Sequence, residues 1–154
     1  MINPYKLRQD FPMLKNKKVM QNHDLIYLDN ASTTMKPQCV IDAVTNYLAN
    51  ETANSHRGDY DLCYRVDTKV AETRRHVAEF INADENEVVF TSGTSMSINL
   101  IAYGYGVKHL KKDDEILITQ AEHASNILPW FKVAEITGCK VKYIELTNDG
   151  RLIP

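Results

Sequence analysis

The sequence predicts an α/β sandwich with a mostly parallel sheet, and two observations carry that prediction. From residue 87 onward, short apolar runs alternate with segments of helical spacing: strand 87–91, helix 95–109, strand 115–119, helix 125–137 and strand 140–145. Strands that alternate with helices pair in parallel through crossover connections. Upstream lie two longer amphipathic helices, whose apolar stripes need a sheet or a second subunit to cover them.

Taken in order, residues 4–10 form a short helix that stops near Phe11-Pro12. Leu25-Ile26-Tyr27-Leu28 is a strand, followed by the polar loop Asp29-Asn30-Ala31-Ser32-Thr33-Thr34. Pro37 sits where a first helical turn tolerates it, and helix 38–49 puts Val40, Ile41, Val44 and Leu48 on one stripe. The loop Glu51–Tyr60 contains His56-Arg57-Gly58. Helix 61–82 follows, with Leu62, Val66, Val70, Val77 and Ile81 on its apolar face. Arg65, Lys69, Glu72, Arg74, Arg75 and Glu79 make the other face solvated or interfacial. Asn148-Asp149-Gly150 closes the last strand with a turn.

Composition excludes several classes of function. With 154 residues, 44% hydrophobic and 25% charged, the chain is long enough for one domain and a sizeable core. A net charge of −2 speaks against a nucleic-acid surface or an anionic membrane. Lys15/Lys17/Lys18 and Lys108/Lys111/Lys112 read as solvated faces. No apolar run approaches the roughly 18–20 residues that span a bilayer, and the polar N-terminus has no signal-peptide core. A cytoplasmic location is expected. Cys39, Cys63 and Cys139 are widely spaced and lack a CxxC pairing. We expect packing residues, with no disulfide framework and no metal site.

The segment Val88–Leu100 carries the clearest chemical signal. An apolar run breaks at Ser92-Gly93-Thr94-Ser95 and resumes with helical spacing. A strand that turns through glycine into a helix leaves backbone N–H groups unpaired, and the Thr94 and Ser95 hydroxyls add donors for a phosphate. An ordinary Thr/Ser-capped helix start gives the same pattern. The segment has neither the P-loop spacing nor the dinucleotide fingerprint. His123 follows strand 115–119, where ligands of open α/β sheets gather, and imidazole stacks on aromatic rings and exchanges protons near neutral pH. A capping or surface role is the alternative. Arg57 suits a carboxylate or phosphate, or an exposed ion pair. Asn30 and Ala31 read locally as a plain turn, and Asn99 faces either a ligand or the next helix.

Four motifs occur together in one order: Tyr27-Leu28-Asp29-Asn30-Ala31-Ser32; Ser55-His56-Arg57-Gly58; Phe90–Ser95 with Asn99-Leu100; and Glu122-His123-Ala124-Ser125-Asn126-Ile127-Leu128-Pro129-Trp130. From about Leu7 to Ile153 the chain resembles the N-terminal part of group II cysteine desulfurases. These NifS-like and selenocysteine-lyase-like enzymes belong to the class V aminotransferase family. The resemblance implies a three-layer α/β sandwich, part of the large domain of a fold-type I transferase dependent on pyridoxal 5′-phosphate (PLP). It implies that Gly93, Thr94 and Ser95 hold the cofactor phosphate and that Asn99 supports that region. His123 would stack on the pyridine ring and serve in acid–base steps. Asn30 and Ala31 would lie near the substrate's amino-acid portion, and His56 and Arg57 near the active-site entrance, shared across a homodimer. The implied reaction converts L-cysteine to L-alanine and an enzyme-bound persulfide, which passes to a sulfur-acceptor protein for iron–sulfur cluster assembly or another sulfur-using pathway.

Two departures accompany the resemblance. Ala124 stands where related enzymes often carry a second histidine. No match is found in residues 1–154 for the Schiff-base lysine, the nucleophilic cysteine, the aspartate facing the pyridine nitrogen or the arginine for the substrate carboxylate. The expectation is therefore an N-terminal segment plus the first part of the PLP-binding large domain. The remainder of that domain and the small C-terminal domain would be absent, leaving a fragment inactive alone, with weak cofactor binding and a tendency to self-associate. The open alternatives are another class V enzyme (aminotransferase, epimerase or selenocysteine lyase) and a noncatalytic interaction fragment.

Overall fold

The computed structural model describes residues 2–15, 19–20 and 22–153, with the side chains of 19 and 20 left aside. Of the Lys15/Lys17/Lys18 group, Lys17 and Lys18 lie outside the described residues. The chain divides into two compact units, Met1–Val88 and Val89–Pro154.

In the first unit, α1 (Pro4–Leu7) starts where the Asn3 side chain accepts the N–H groups of Tyr5 and Lys6 at 3.0 and 3.2 Å. It tightens into a 3₁₀ turn, Arg8–Asp10. Pro12 does not end helical structure altogether. It opens a second short helix, α2 (Pro12–Lys15), because a first-turn position needs no N–H donor. Strands β1 (Val19–Met20) and β2 (His23–Asp24) pair antiparallel.

The expected strand Leu25–Leu28 carries no ladder. A strand is defined by its partner, and among the described residues none pairs with this one. Its side chains still alternate, with Leu25 and Tyr27 half-buried and Ile26 and Leu28 exposed. Helix α3 (Gln38–Asn46) begins after Pro37, which takes the cap position, and widens into a π-helical turn over Tyr47–Glu51. Its stripe of Val40, Ile41, Val44 and Leu48 is exposed.

The long helix α4 (Asp61–Ile81) buries Cys63, Val66 and Ala78. It ends where Asn82 adopts the left-handed conformation, φ 55°, which asparagine tolerates better than most residues. The buried set is offset from the predicted stripe: Val66 is buried, but Leu62 and Ile81 are exposed.

The expected strand 87–91, which straddles the boundary between the two units, forms no ladder among the described residues. Glu87 closes a 3₁₀ turn and the backbone leaves Val88 in the extended region. Helix α5 (Thr94–Ile101) runs through a π-helical turn, Ala102–Gly106, into α6 (Val107–His109). The predicted parallel pair then forms. Strand β3 (Glu115–Thr119) is aligned with β4 (Lys140–Ile144) from Glu115↔Lys140 to Thr119↔Ile144. Between them lie a 3₁₀ turn, Ala124–Asn126, and α7 (Leu128–Thr137), which Gly138 terminates at φ 78°. Ala102, Val133 and Cys139 form the core of this β-α-β unit, with Ile116, Trp130 and Ala134 packed on it. Cys63 and Cys139 are buried packing residues as expected, whereas Cys39 is exposed.

Candidate functional site

The start of α5 is built by a glycine. Gly93 takes φ 147° and ψ 175°, a region that residues with a Cβ occupy at a cost of about 1–3 kcal/mol. Thr91 and Ser97 pin that turn. The Thr91 Oγ1 accepts the Gly93 N–H at 3.3 Å, and the Thr91 and Ser97 hydroxyls lie 2.8 Å apart. The Gly93 carbonyl accepts both the Ser97 N–H, at 3.1 Å, and its hydroxyl, at 3.3 Å.

Among the described residues no side chain caps this helix. The first-turn N–H groups of Thr94 and Ser95 lie beside two exposed hydroxyls and next to open space at Gly93. The positive end of the helix faces the same way. Asn99 is committed differently: its Nδ2 donates to the Ser95 carbonyl at 2.7 Å, which steadies the turn that carries Thr94 and Ser95.

His123 stands just past the carboxyl end of β3, as the cap of the turn Ala124–Asn126, and that turn packs against α5. Its Nδ1 accepts the Ser125 N–H at 3.2 Å and lies 2.8 Å from the Ser125 hydroxyl. An Nδ1 that accepts a backbone proton puts the ring's own proton on Nε2. The ring is otherwise exposed. Sequence reasoning missed the group beside it, Glu122. Its two carboxylate oxygens accept from the Thr119 hydroxyl at 3.0 Å and from the Asn126 amide at 2.9 Å. These bonds, Asn126 first, hold its pKa below the usual glutamate value, against a smaller opposing effect of burial.

The remaining candidates lie in the first unit. Asn30 and Ala31 form an exposed turn in which the Asn30 carbonyl accepts the Thr34 hydroxyl at 3.2 Å. Asn30 also lines an open cavity of about 360 Å³ with Arg8, Phe11 and Tyr27. His56 is left-handed, φ 64°, and its N–H donates to Asp67 at 2.8 Å while its Nδ1 lies 3.5 Å from the same oxygen. Gly58 is required by contact, since a Cβ there would lie 2.1 Å from the Cys63 Sγ. Arg57 is exposed and makes no side-chain bond among the described residues. The loop 55–58 is thus anchored on α4 through Asp67 and Cys63. Asp67 lies eleven residues beyond His56, with no local signal to mark it.

An uncapped helix start beside an imidazole, both at the carboxyl side of a parallel β-α-β unit, is the layout of an α/β domain that holds a phosphorylated ligand. The comparisons narrow that class. Residues 26–154 match the family described as aminotransferase class-V, and the chain belongs to that family. It is 45% identical over 147 residues to a probable cysteine desulfurase of Ureaplasma parvum, covering 96% of this chain and 35% of that protein. It superposes on a cysteine desulfurase of Thermococcus onnurineus with a TM-score of 0.85 and 38% identity, covering 99% of this chain and 36% of that one. A more distant structure, C-DES with glycine covalently linked to its PLP cofactor, shares the fold at a TM-score of 0.70 and 22% identity, covering 89% of this chain and 32% of that one. The chain thus spans about a third of the length of the relatives it matches. The α/β architecture is that of the cysteine desulfurase on which the chain superposes.

Proposed function

We propose that this chain is the N-terminal segment and first part of the large domain, residues 1–154, of a PLP-dependent cysteine desulfurase. The observation that carries the reading is the start of α5. A glycine-only backbone angle, first-turn N–H groups and two hydroxyls make a donor set suited to a phosphate monoester. The similarity to cysteine desulfurases over almost the whole chain supports assigning that phosphate to PLP.

In this reading the N–H groups and hydroxyls of Thr94 and Ser95 would hold the phosphate. Gly93 allows the close approach, and Asn99 keeps the first turn from fraying. His123 lays its ring against the cofactor and, with its proton on Nε2, is ready to donate to an oxygen or nitrogen in front of it. When bound, PLP supplies an electron sink for bond cleavage beside the substrate's amino group. Asn30 and Ala31 approach the amino-acid part of L-cysteine, and His56 and Arg57 line the entrance. The working protein is a homodimer that yields L-alanine and delivers sulfur through an enzyme persulfide to an acceptor protein. The lysine and cysteine that this chemistry needs are supplied by sequence other than residues 1–154.

The test is an assay of alanine and sulfur release from L-cysteine by the product of the complete reading frame, beside this chain alone. Equal yields of alanine and sulfur from the longer product, with none from residues 1–154, are expected. Amino-group transfer to a keto acid without sulfur release would overturn the assignment.

A further inference from the structure

The Glu122 carboxylate lies at the centre of a relay that ties three elements together. One oxygen accepts from Thr119, the last residue of β3, and the other from Asn126, the last residue of the turn that His123 caps. The Asn126 side-chain oxygen, Oδ1, in turn accepts the Trp130 indole N–H at 3.3 Å. Trp130 sits in α7 and packs on the Ala102, Val133 and Cys139 core. His123 lies inside this span, and among the described residues its ring bonds to Ser125 alone.

We propose that Glu122 is a positioning residue for His123. Its carboxylate staples both ends of the 119–126 span, so that the turn holds Ser125 N–H against Nδ1 and presents Nε2–H outward. The relay also fixes chemistry at each step. Because the Asn126 oxygen is used by Trp130, its amide nitrogen faces Glu122 and requires an acceptor there. Thr119 imposes no such demand, since a hydroxyl both donates and accepts. Glutamine at 122 therefore satisfies both neighbours, with its oxygen toward Asn126 and its nitrogen toward Thr119. Alanine satisfies neither. The brace is a matter of hydrogen bonds, not of negative charge beside the imidazole. Its consequence for the cofactor rests on the function proposed above; the brace itself does not.

The experiment is amide hydrogen exchange and side-chain NMR on this chain and its Glu122→Ala, Glu122→Gln and Thr119→Val variants. Glu122→Ala is expected to speed exchange at Ser125, Asn126 and Ile127 by about tenfold or more while the β3–β4 ladder keeps its protection. Glu122→Gln should stay within about twofold of the parent, and Thr119→Val, which removes one bond at a strand position that valine suits, should fall between. If Glu122→Ala loosens the whole unit, Thr119→Val decides: acceleration confined to 123–127 supports the brace, and uniform acceleration overturns it. Unchanged exchange in Glu122→Ala, or Glu122→Gln behaving like alanine, also overturns it. Millimolar PLP is then added. The His123 ring resonances should shift in the parent and in Glu122→Gln and less in Glu122→Ala, while Thr94 and Ser95 amides respond in all three. Equal His123 shifts in all three overturn the positioning role. Absence of any response at Thr94 and Ser95 in the parent counts against the proposed function and leaves the brace to be judged by exchange.

Discussion

Gly93 precedes the helical run that contains Gly104, and the structure asks opposite things of the two. At Gly93 the constraint is conformational: nothing lies within 4 Å of where a Cβ would stand, but φ is 147°. At Gly104 there is the same open space and no positive φ. We expect Gly93→Ala to destabilise the chain by about 1–3 kcal/mol, and Gly104→Ala to leave it unchanged or stabilise it by up to about 1 kcal/mol. Urea unfolding of the two variants checks both. At this scale the glycine turn that starts α5 was legible because its signal is local: a glycine, two hydroxyls and a change of hydrophobic period within a few residues. The anchoring of His56 was not, because its partner Asp67 is eleven residues away and meets it only through a left-handed backbone. Glu122 also escaped notice, since nothing in a Glu-His-Ala-Ser string says that both oxygens find partners.

Among elements, the parallel pair β3–β4 and the helices α4 and α7 appear close to where the sequence puts them, because each buries part of its apolar set within its own unit. Strands 25–28 and 87–91 read equally well as sequence but form no ladder among the described residues. Their backbone partners are not supplied by any pattern inside the segment. The π-helical turns at Tyr47–Glu51 and Ala102–Gly106 were invisible for the opposite reason, since helical periodicity barely changes across one wide turn. The turn after β3 also carries a pH prediction. A carboxylate held below its usual value in the fold stabilises that fold at neutral pH, and the contribution goes as pH falls toward and through the lowered value. Protonated Glu122 can keep both contacts, its carbonyl oxygen toward Asn126 and its hydroxyl toward Thr119, so protection of Asn126 and Ile127 should be steady from neutral pH and decline only modestly as pH falls below the ordinary glutamate range. In Glu122→Ala that decline should disappear, as read by exchange after correction for the intrinsic rate.

At the scale of the whole molecule, the chain leaves large apolar groups uncovered on both units. Ile26 is 79% and Leu28 89% exposed in the first, and Leu117, in the middle of a parallel strand, is 63% exposed in the second. Parallel strands are normally covered on both faces, and exposed apolar patches of this kind associate. Sedimentation velocity across a range of concentrations should show the isolated chain as dimers or larger species; a single monomeric boundary at micromolar concentration would contradict this. The PLP site proposed at the start of α5 and the imidazole of His123 is open to a direct test. Its most direct measurement is an NMR titration of the labelled chain with PLP and, separately, with pyridoxal. PLP should shift the amides of Gly93, Thr94 and Ser95 and the ring of His123, inorganic phosphate should compete at the amides, and pyridoxal should leave the amides unmoved. Equal responses to pyridoxal and PLP, or responses confined to residues away from α5 and His123, would contradict it.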